Sequence, residues 1–462
     1  MTSTKNTSSL TANERKAVFS LAGIFSLRMF GLFMLLPVLA IYTHSLEGST
    51  PFLTGLALGT YGLTQALLQI PFGILSDRFD RKKVISIGLL VFAAGSLAAG
   101  WSDSIEGLII GRAIQGAGAV SAAIMALTSD LTRSSQRTKA MALIGVSIGF
   151  TFMLSLVTAP LLQASVGVDG MFFLVSVLAI LAIGVLYRWV PEAQRAIKTE
   201  SNLSSGKQLL EAIKNPRLAQ LNLGILISHM LLTCLFLVVP GIFVEQGGYA
   251  LEQHWKLYIP VLLLSVFGMV PLVKGAGYPH WILVSFRSAV AIMGCGFALL
   301  FVGYSYPVSF YWFVAGLVVF FAGFNALEAI LPSLASQQVA SRNRGTAMAV
   351  YNTFQFFGVF LGGILGGLVL EKLQITGVFT FSVLAALCWL LLTVVLPKFG
   401  VTRSISVDLS DYNISRRGEL IDRISALNGI KDVSIVSGET VAYLEVDDVL
   451  YDDAELQQLI RT

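Results

Sequence analysis

From Gly48 to Ser76 the chain carries no Asp, Glu, Lys or Arg, and six of the next seven positions, Asp77, Arg78, Asp80, Arg81, Lys82 and Lys83, are charged. The alternation recurs: Leu218 to Val244 and Leu373 to Pro397 are also free of these four residue types. An apolar helix of about 20 residues crosses the ~30 Å hydrocarbon core of a bilayer. No water is present there, so such a segment must satisfy its own backbone hydrogen bonds. Only 13% of the 462 residues are charged, against ~25% in a soluble protein, and the mean hydropathy is +0.76. That leaves too little polar surface for a water-soluble fold.

Apolar segments fall near 17–43, 52–76, 84–100, 106–128, 139–163, 169–190, 218–244, 255–274, 281–302, 308–333, 345–370 and 374–396. They predict an all-α membrane protein of twelve transmembrane helices. The first run follows a polar start, "MTSTKNTSSLTANERK", and lacks a small-residue cleavage site. It reads as a retained helix and not as a signal peptide. Cys234, Cys295 and Cys388 each fall within a span and read as small packing residues.

Lys and Arg are concentrated in alternate connections. One set holds Lys5, Arg15, Lys16, Arg78 to Lys83, Arg133, Arg137, Lys139, Arg188, Arg195, Lys198, Lys207, Lys214, Arg217, Lys274, Arg342, Arg344, Lys398 and Arg403. The opposite set holds essentially Lys256 and Lys372. Positive charge marks the cytoplasmic side. Both termini are therefore expected in the cytoplasm, with the chain in the cell (inner) membrane and membrane lipid around it.

The chain divides in two. A polar linker, 191–217, separates an N-terminal six-helix half, 1–190, from a C-terminal half, 218–397. "RTKAMALIGV" opens the fifth span at Arg137, and "RGTAMAVYNT" opens the eleventh at Arg344, an offset of 207 residues. Paired halves with internal repeats are the plan of transporters that expose a central site to alternate sides.

Residues 404–462 are soluble in character. "SISVDL" alternates as a half-buried strand does. Leu420, Ile421, Ile424 and Leu427 form a helical stripe that ends at Asn428-Gly429. "VSIV" and "VAYLEV" read as strands, and Asp452 with Glu455 makes a capping box before a last helix. The order matches a small α+β ferredoxin-like domain without its final strand. It has no Cys or His with which to carry a soft metal. From Arg403 onward there are twelve acidic and six basic residues, so intramolecular docking of this acidic tail on the basic cytoplasmic face is expected.

"GILSDRFDRKK", at the end of the second span, resembles the loop 2–3 signature of the major facilitator superfamily, Gly-x-Leu-Ala-Asp-Arg-x-Gly-Arg-Lys. Gly73, Leu75, Asp77, Arg78, Arg81 and Lys82 match, while Ser76 and Asp80 depart from it. "LIIGRAIQGAGA" in the fourth span resembles the Arg-x-x-Gln-Gly-x-Gly signature of proton-coupled members through Arg112, Gln115, Gly116 and Gly118. Of the glycine/proline-rich signature common in the fifth span of drug exporters, only Ala159-Pro160 is present. The resemblance implies a proton-coupled exporter of a small amphipathic compound or drug. It also implies a conformational latch, in which Asp77 meets the start of the eleventh span near Thr346 and Arg81 pairs with Asp130. Gly73 is expected to permit close helix approach.

Charged groups within spans are costly and are functional candidates. Arg28, Arg112, His229 and Glu328 stand out. An arginine does not release its proton at ordinary pH, so His229 and Glu328 are the candidates for proton coupling. Arg28 stands where many drug antiporters carry an acid, which favours an anionic or amphipathic substrate over a cationic one. Tyr61, Gln65, Gln69, Asn325, Asn352 and Gln355 are candidates to line a central cavity with Arg28. An importer or uncoupled facilitator of the same fold, and a membrane sensor that no longer transports, are the competing readings. No nucleophile–base pair, metal-ligand cluster or phosphate-cradling loop appears. Neither enzyme activity nor a cofactor, metal or nucleic-acid partner is expected.

Overall fold

The computed structural model describes residues 10–133, 136–192, 210, 212–278, 280–306, 310–339, 344–395, 402–409, 420–421, 423–435, 441–447 and 450–461. Polar residues at the ends of the apolar runs start the helices. Thr11 and Glu14 form a capping box on α1, Ala12–Phe33, which continues through a bend into α2, Leu36–Tyr42. Thr50 caps α3, Pro51–Arg78, and Asp80 caps α4, Arg81–Gly100. Each cap satisfies an N–H that the first turn leaves without an intrahelical partner. Asp80 therefore ends α3 and begins α4 with no loop to spare. Ser104 caps α5, Ile105–Ala117, which bends into α6, Ser121–Asp130.

The second half repeats this plan with α8, Pro216–Glu245, α9, Trp255–Ala276, α10, Ile282–Ser305, and α11, Phe310–Gln337. Two helical stretches are too long for one crossing: α7, Arg137–Trp189, and α12, Arg344–Val395. Each is broken at one residue, α7 at Gly167 (φ 69°, ψ 173°) and α12 at Gln374 (φ 60°, ψ −167°). These breaks are separated by the same 207 positions as Arg137 and Arg344, so the repeat seen in the sequence is also a repeat of backbone geometry. The loops expected near 163–169 and 370–374 are thus single-residue reversals. Among the described residues, Gln374 alone has positive φ without being glycine.

Nine stretches among the described residues are long and apolar enough to cross a membrane. Large apolar side chains stay exposed on them, including Val146, Phe150, Leu181, Phe267 and Leu391. Such exposure is stable against lipid tails and not against water. Cys295 and Cys388 are exposed too, so of the three cysteines only Cys234 packs inside. This is an all-helical, multi-pass membrane fold.

The halves meet through α3 and α12. A Cβ added at Gly55 would strike the Gly363 carbonyl oxygen, and one added at Gly363 would strike that of Gly55. At Gly59 the Phe360 carbonyl oxygen would lie 2.9 Å away, and at Gly367 the Pro51 oxygen would also be at 2.9 Å. The two backbones touch, as small residues in membrane helices allow. At the very start of α3 the Phe52 N–H donates to Glu371 on α12 at 3.1 Å, so a carboxylate sits on the positive end of that helix.

After α12 come β1, Thr402–Asp408, β2, Ile430–Ile435, and β3, Val441–Asp447, in the sheet order β1-β3-β2 with β3 antiparallel to both neighbours. Gly429 takes φ 86° just before β2, as the Asn-Gly stop implied. Asp452 accepts the Ala454 N–H at 2.9 Å ahead of α13, Asp453–Arg461. Val407, Leu409, Leu420, Ile424, Ala442, Leu444, Val446 and Leu456 form a small core of their own.

The backbone at Gln374 lies in a region essentially reserved for glycine, which costs about 1–3 kcal/mol. Gln374→Gly should raise the thermal midpoint of the purified protein and Gly167→Ala should lower it. Equal midpoints for both variants and the wild type would show that neither reversal holds strain.

Candidate functional site

Three groups of polar residues are arranged along the bundle. The first lies at the charged face, where α3, α6 and α7 begin or end. Arg81 Nε donates to Asp130 Oδ2 at 2.6 Å, with Nη2 to Oδ1 at 3.5 Å. Arg81 Nη2 also lies 3.4 Å from Asp77 Oδ1, and Nη1 donates to Ser76 Oγ at 3.4 Å. The paired contact to Asp130 fixes direction as well as distance. Lys82 Nζ donates to the Val190 carbonyl at 2.6 Å and so ties the start of α4 to the end of α7. Arg78 and Leu75 are exposed. Gly73 is not a point of tight approach: a Cβ there would meet Ala122 at 3.4 Å, an ordinary contact. Close approach is needed instead at Gly116, where a Cβ would strike the Tyr61 backbone. Gly118 likewise lets α5 and α4 touch, since a Cβ there would lie 2.8 Å from Phe92.

A second ion pair at this face was not expected. Arg133 donates to Glu14 from Nε and from its backbone N, both at 2.9 Å, and from Nη2 at 3.0 Å. Glu14 also accepts the Thr11 N–H at 2.8 Å. One carboxylate therefore closes the first turn of α1 and holds the segment after α6. Neither this cap nor its partner 119 positions away was picked out in the sequence.

The second group is buried in the N-terminal half. Arg28 donates from Nη1 to Ser121 Oγ at 2.8 Å, and from Nη2 to the Tyr61 hydroxyl at 2.9 Å and to Gln65 Oε1. Gln65 Nε2 donates to Gln69 Oε1 at 2.8 Å. Arg112 lies with its guanidinium 4.9 Å above the Tyr61 ring and donates to Gln115, whose Nε2 donates to Ser96 at 2.8 Å. Four of the candidate cavity residues thus form one chain, and the fourth-span signature forms another beside it. Ser121 belongs to the first chain and had no signal in the sequence.

The third group lies in the C-terminal half. His229 Nδ1 is 3.6 Å from Glu328 Oε1, and its Nε2 is 2.8 Å from Gln355 Nε2. His229 is buried, and the Glu328 side chain is 34% exposed although its Oε1 atom is buried. Asn325 turns away to Ser265 at 3.2 Å. Asn352 is half-buried one turn before Gln355. The second and third groups meet where the Tyr61 ring stands edge-on to Phe356, with centroids 6.4 Å apart. Among the described residues no cluster of His, Cys, Asp and Glu is fit to hold a metal.

The geometry has clear counterparts among known proteins. The family model described as Major Facilitator Superfamily matches residues 21–354. The chain is 39% identical to the Inner membrane transport protein YajR of Escherichia coli (strain K12) over 98% of both chains. It is 27% identical to the Multidrug transporter MdfA of Edwardsiella ictaluri (strain 93-146), over 70% of this chain and 80% of that one. A bacterial homologue of the human lysosomal transporter Spinster, in an inward-facing and occupied conformation, superposes with a TM-score of 0.69. It covers 84% of this chain and 98% of its own at 14% identity, which is likeness of fold.

The Glu14–Arg133 pair gives a direct test of the charged face. Glu14→Ala should lower the thermal midpoint by a few degrees, because it removes a cap and an ion pair together. It should also speed proteolytic cleavage after α6. Unchanged melting and cleavage would reduce the pair to a surface contact.

Proposed function

The chain belongs to the major facilitator superfamily, and from that premise we infer that it is a secondary active transporter that exports a small amphipathic compound by alternating access in exchange for protons. The observation that carries this reading is the contact of α3 with α12. Bare backbones meet at the Pro51 end of α3, while the charged motif stands at its other end. A helix pressed on its partner at one end and carrying a switchable ion pair at the other is built to rock. Twelve spans are reached by counting α7 and α12 twice at their breaks and by including α3 among the crossings. With the Lys- and Arg-rich loops inside, both termini are cytoplasmic, and the touching ends of α3 and α12 close the outer side.

The role of each group follows. Asp77, Arg81 and Asp130, with Gly73, Leu75, Arg78 and Lys82, form the latch that biases one of two states. Arg112, Gln115, Gly116 and Gly118 hold the fourth span against the second. Glu328, beside His229, which in turn meets Gln355, carries the proton. Arg28, Tyr61, Gln65 and Gln69 face it from the other half, with Asn325 and Asn352 on the approach. Residues 404–462 form the ferredoxin-like domain, which the split β1-β3-β2 order supports, and its acidic surface docks on the basic loops. A multidrug transporter is among the relatives above, and export of such compounds by this chain is part of the proposal.

Two variants test it in proteoliposomes loaded with a pH dye. Asp77→Asn should insert normally and lose substrate-driven proton flux by an order of magnitude or more, as a population shift of ~1.4 kcal/mol would produce. Glu328→Gln should abolish proton flux yet keep substrate exchange across the membrane. Wild-type proton flux in both variants would remove the latch and the proton carrier from the account. Flux in the wild type that runs with substrate and not against it would favour an importer.

A further inference from the structure

The Arg28 chain lacks an acceptor. A guanidinium has donors only, so Gln65 must turn Oε1 toward Arg28. That fixes the orientation of its amide, and Gln65 Nε2 must then donate to Gln69 Oε1. Gln69 is left presenting Nε2, which is buried and has no partner. Arg28 Nε is buried and unpartnered as well. The Tyr61 hydroxyl accepts from Arg28, and its own proton has no acceptor among the described residues. Three donors therefore end without an acceptor around a cation that makes no ion pair among the described residues. Arg28 is 2% exposed, and Tyr61, Gln65 and Gln69 are each 0% exposed.

The neighbouring arginine heads a series that ends on a backbone acceptor. From Arg112 the bonds run to Gln115, to Ser96 and on to the Phe92 carbonyl, a backbone acceptor that ends the series. Its Nε donates to the Ala57 carbonyl at 3.4 Å, and its face rests on Tyr61. Two arginines at similar depth thus differ in how far the protein closes their hydrogen-bond series. The Arg112 series ends on a backbone carbonyl and leaves one buried donor, Arg112 Nη2, without a partner, whereas the Arg28 series leaves three, one of them on Tyr61 where the halves meet beside Phe356. A buried charge with unmatched donors is costly in a water-free interior, and the species that would offset this cost is an anion.

We propose that the Arg28–Tyr61–Gln65–Gln69 cluster seats the anionic group, carboxylate, sulfonate or phosphate, of the compound carried, so that the substrate is an amphipathic organic anion. This rests on the transporter reading and names its substrate class. The apolar body of the ligand lies against the aromatic groups of the opposite half, Phe324 and Phe356, beside His229 and Tyr61.

The test supplies the missing acceptor from within. In Gln65→Glu a carboxylate receives Arg28 directly, and Gln69 turns its Nε2 onto the second oxygen. The purified full-length protein should then melt roughly 3–6 °C above wild type. Taurocholate, naphthalene-2-sulfonate or lysophosphatidylglycerol should raise the midpoint of the wild type, leave Gln65→Glu and Arg28→Gln unmoved, and shift Arg28→Lys in part. A shift with the first two assigns a free organic anion, and a shift with the lysolipid alone assigns a lipid headgroup. Tetraphenylphosphonium and ethidium should do nothing. The proposal is overturned by a Gln65→Glu protein that melts below wild type, or by a wild type stabilised by the cations and not by the anions. It is equally overturned if Gln65→Glu is stabilised while no anion shifts the wild type, since the carboxylate then fills only a structural gap. None of these readouts requires transport, so the transporter reading stands or falls separately on the Asp77→Asn and Glu328→Gln fluxes.

Discussion

A polar atom inside the bilayer cannot turn to water, and each part of this structure is a response to that constraint. Backbone groups solve it by making helices. The ends of those helices are finished by side chains at the membrane faces: Thr11, Thr50, Asp80, Ser104 and Asn215 each cap a first turn. The same groups then serve as corners. Asp80 caps α4 one residue after α3 has ended, which places Asp77 and Arg81 within 3.4 Å across the turn. The charged motif is thus first a device for changing direction at a face, and its ion pairs are built on that turn.

Contact between the halves follows from the same lack of water. Lipid tails are as apolar as leucine, so burial of apolar surface gives membrane helices little reason to associate. Close van der Waals contact must do it instead, and that requires backbones bare enough to touch. The glycines of α3 and α12 meet this need over two turns and more, from Gly55 to Gly62 on one helix and from Phe356 to Gly367 on the other. Packed interfaces of this kind are bistable and do not deform gradually. Rotation about such a contact costs less than stretching it, which suits the proposed alternating access.

The sequence carried information along each helix far better than between helices. The spans, the Arg137–Arg344 repeat and the tail strands depend on local pattern, and each was legible. Arg81 with Asp130 was legible only through resemblance, because the two are 49 positions apart. Ser121 and Glu14 were not picked out at all. Serine is common in membrane helices, and no periodicity marks the one that faces Arg28. Gly73 was misread for a related reason: a glycine in a helix shows that close approach is permitted, and its neighbours decide whether it happens. The loops expected at 163–169 and 370–374 failed differently. No rule of composition foresees a reversal made by a single glutamine with positive φ.

The two halves repeat in backbone but not in charge. Arg28 and Arg112 lie in the first half, and His229 and Glu328 lie in the second. Neither set suffices for coupling. Arginines hold charge but do not release protons at ordinary pH, whereas a carboxylate and an imidazole can exchange them. Divided between halves, the fixed cation and the proposed titrating pair face each other across contacts such as Tyr61 with Phe356 and Phe152 with Phe324, which in turn touches His229. A relative rotation of the halves must alter that junction before it alters anything within either half. Coupling between the two groups, which the proposed exchange of substrate for protons requires, would have to pass through these contacts.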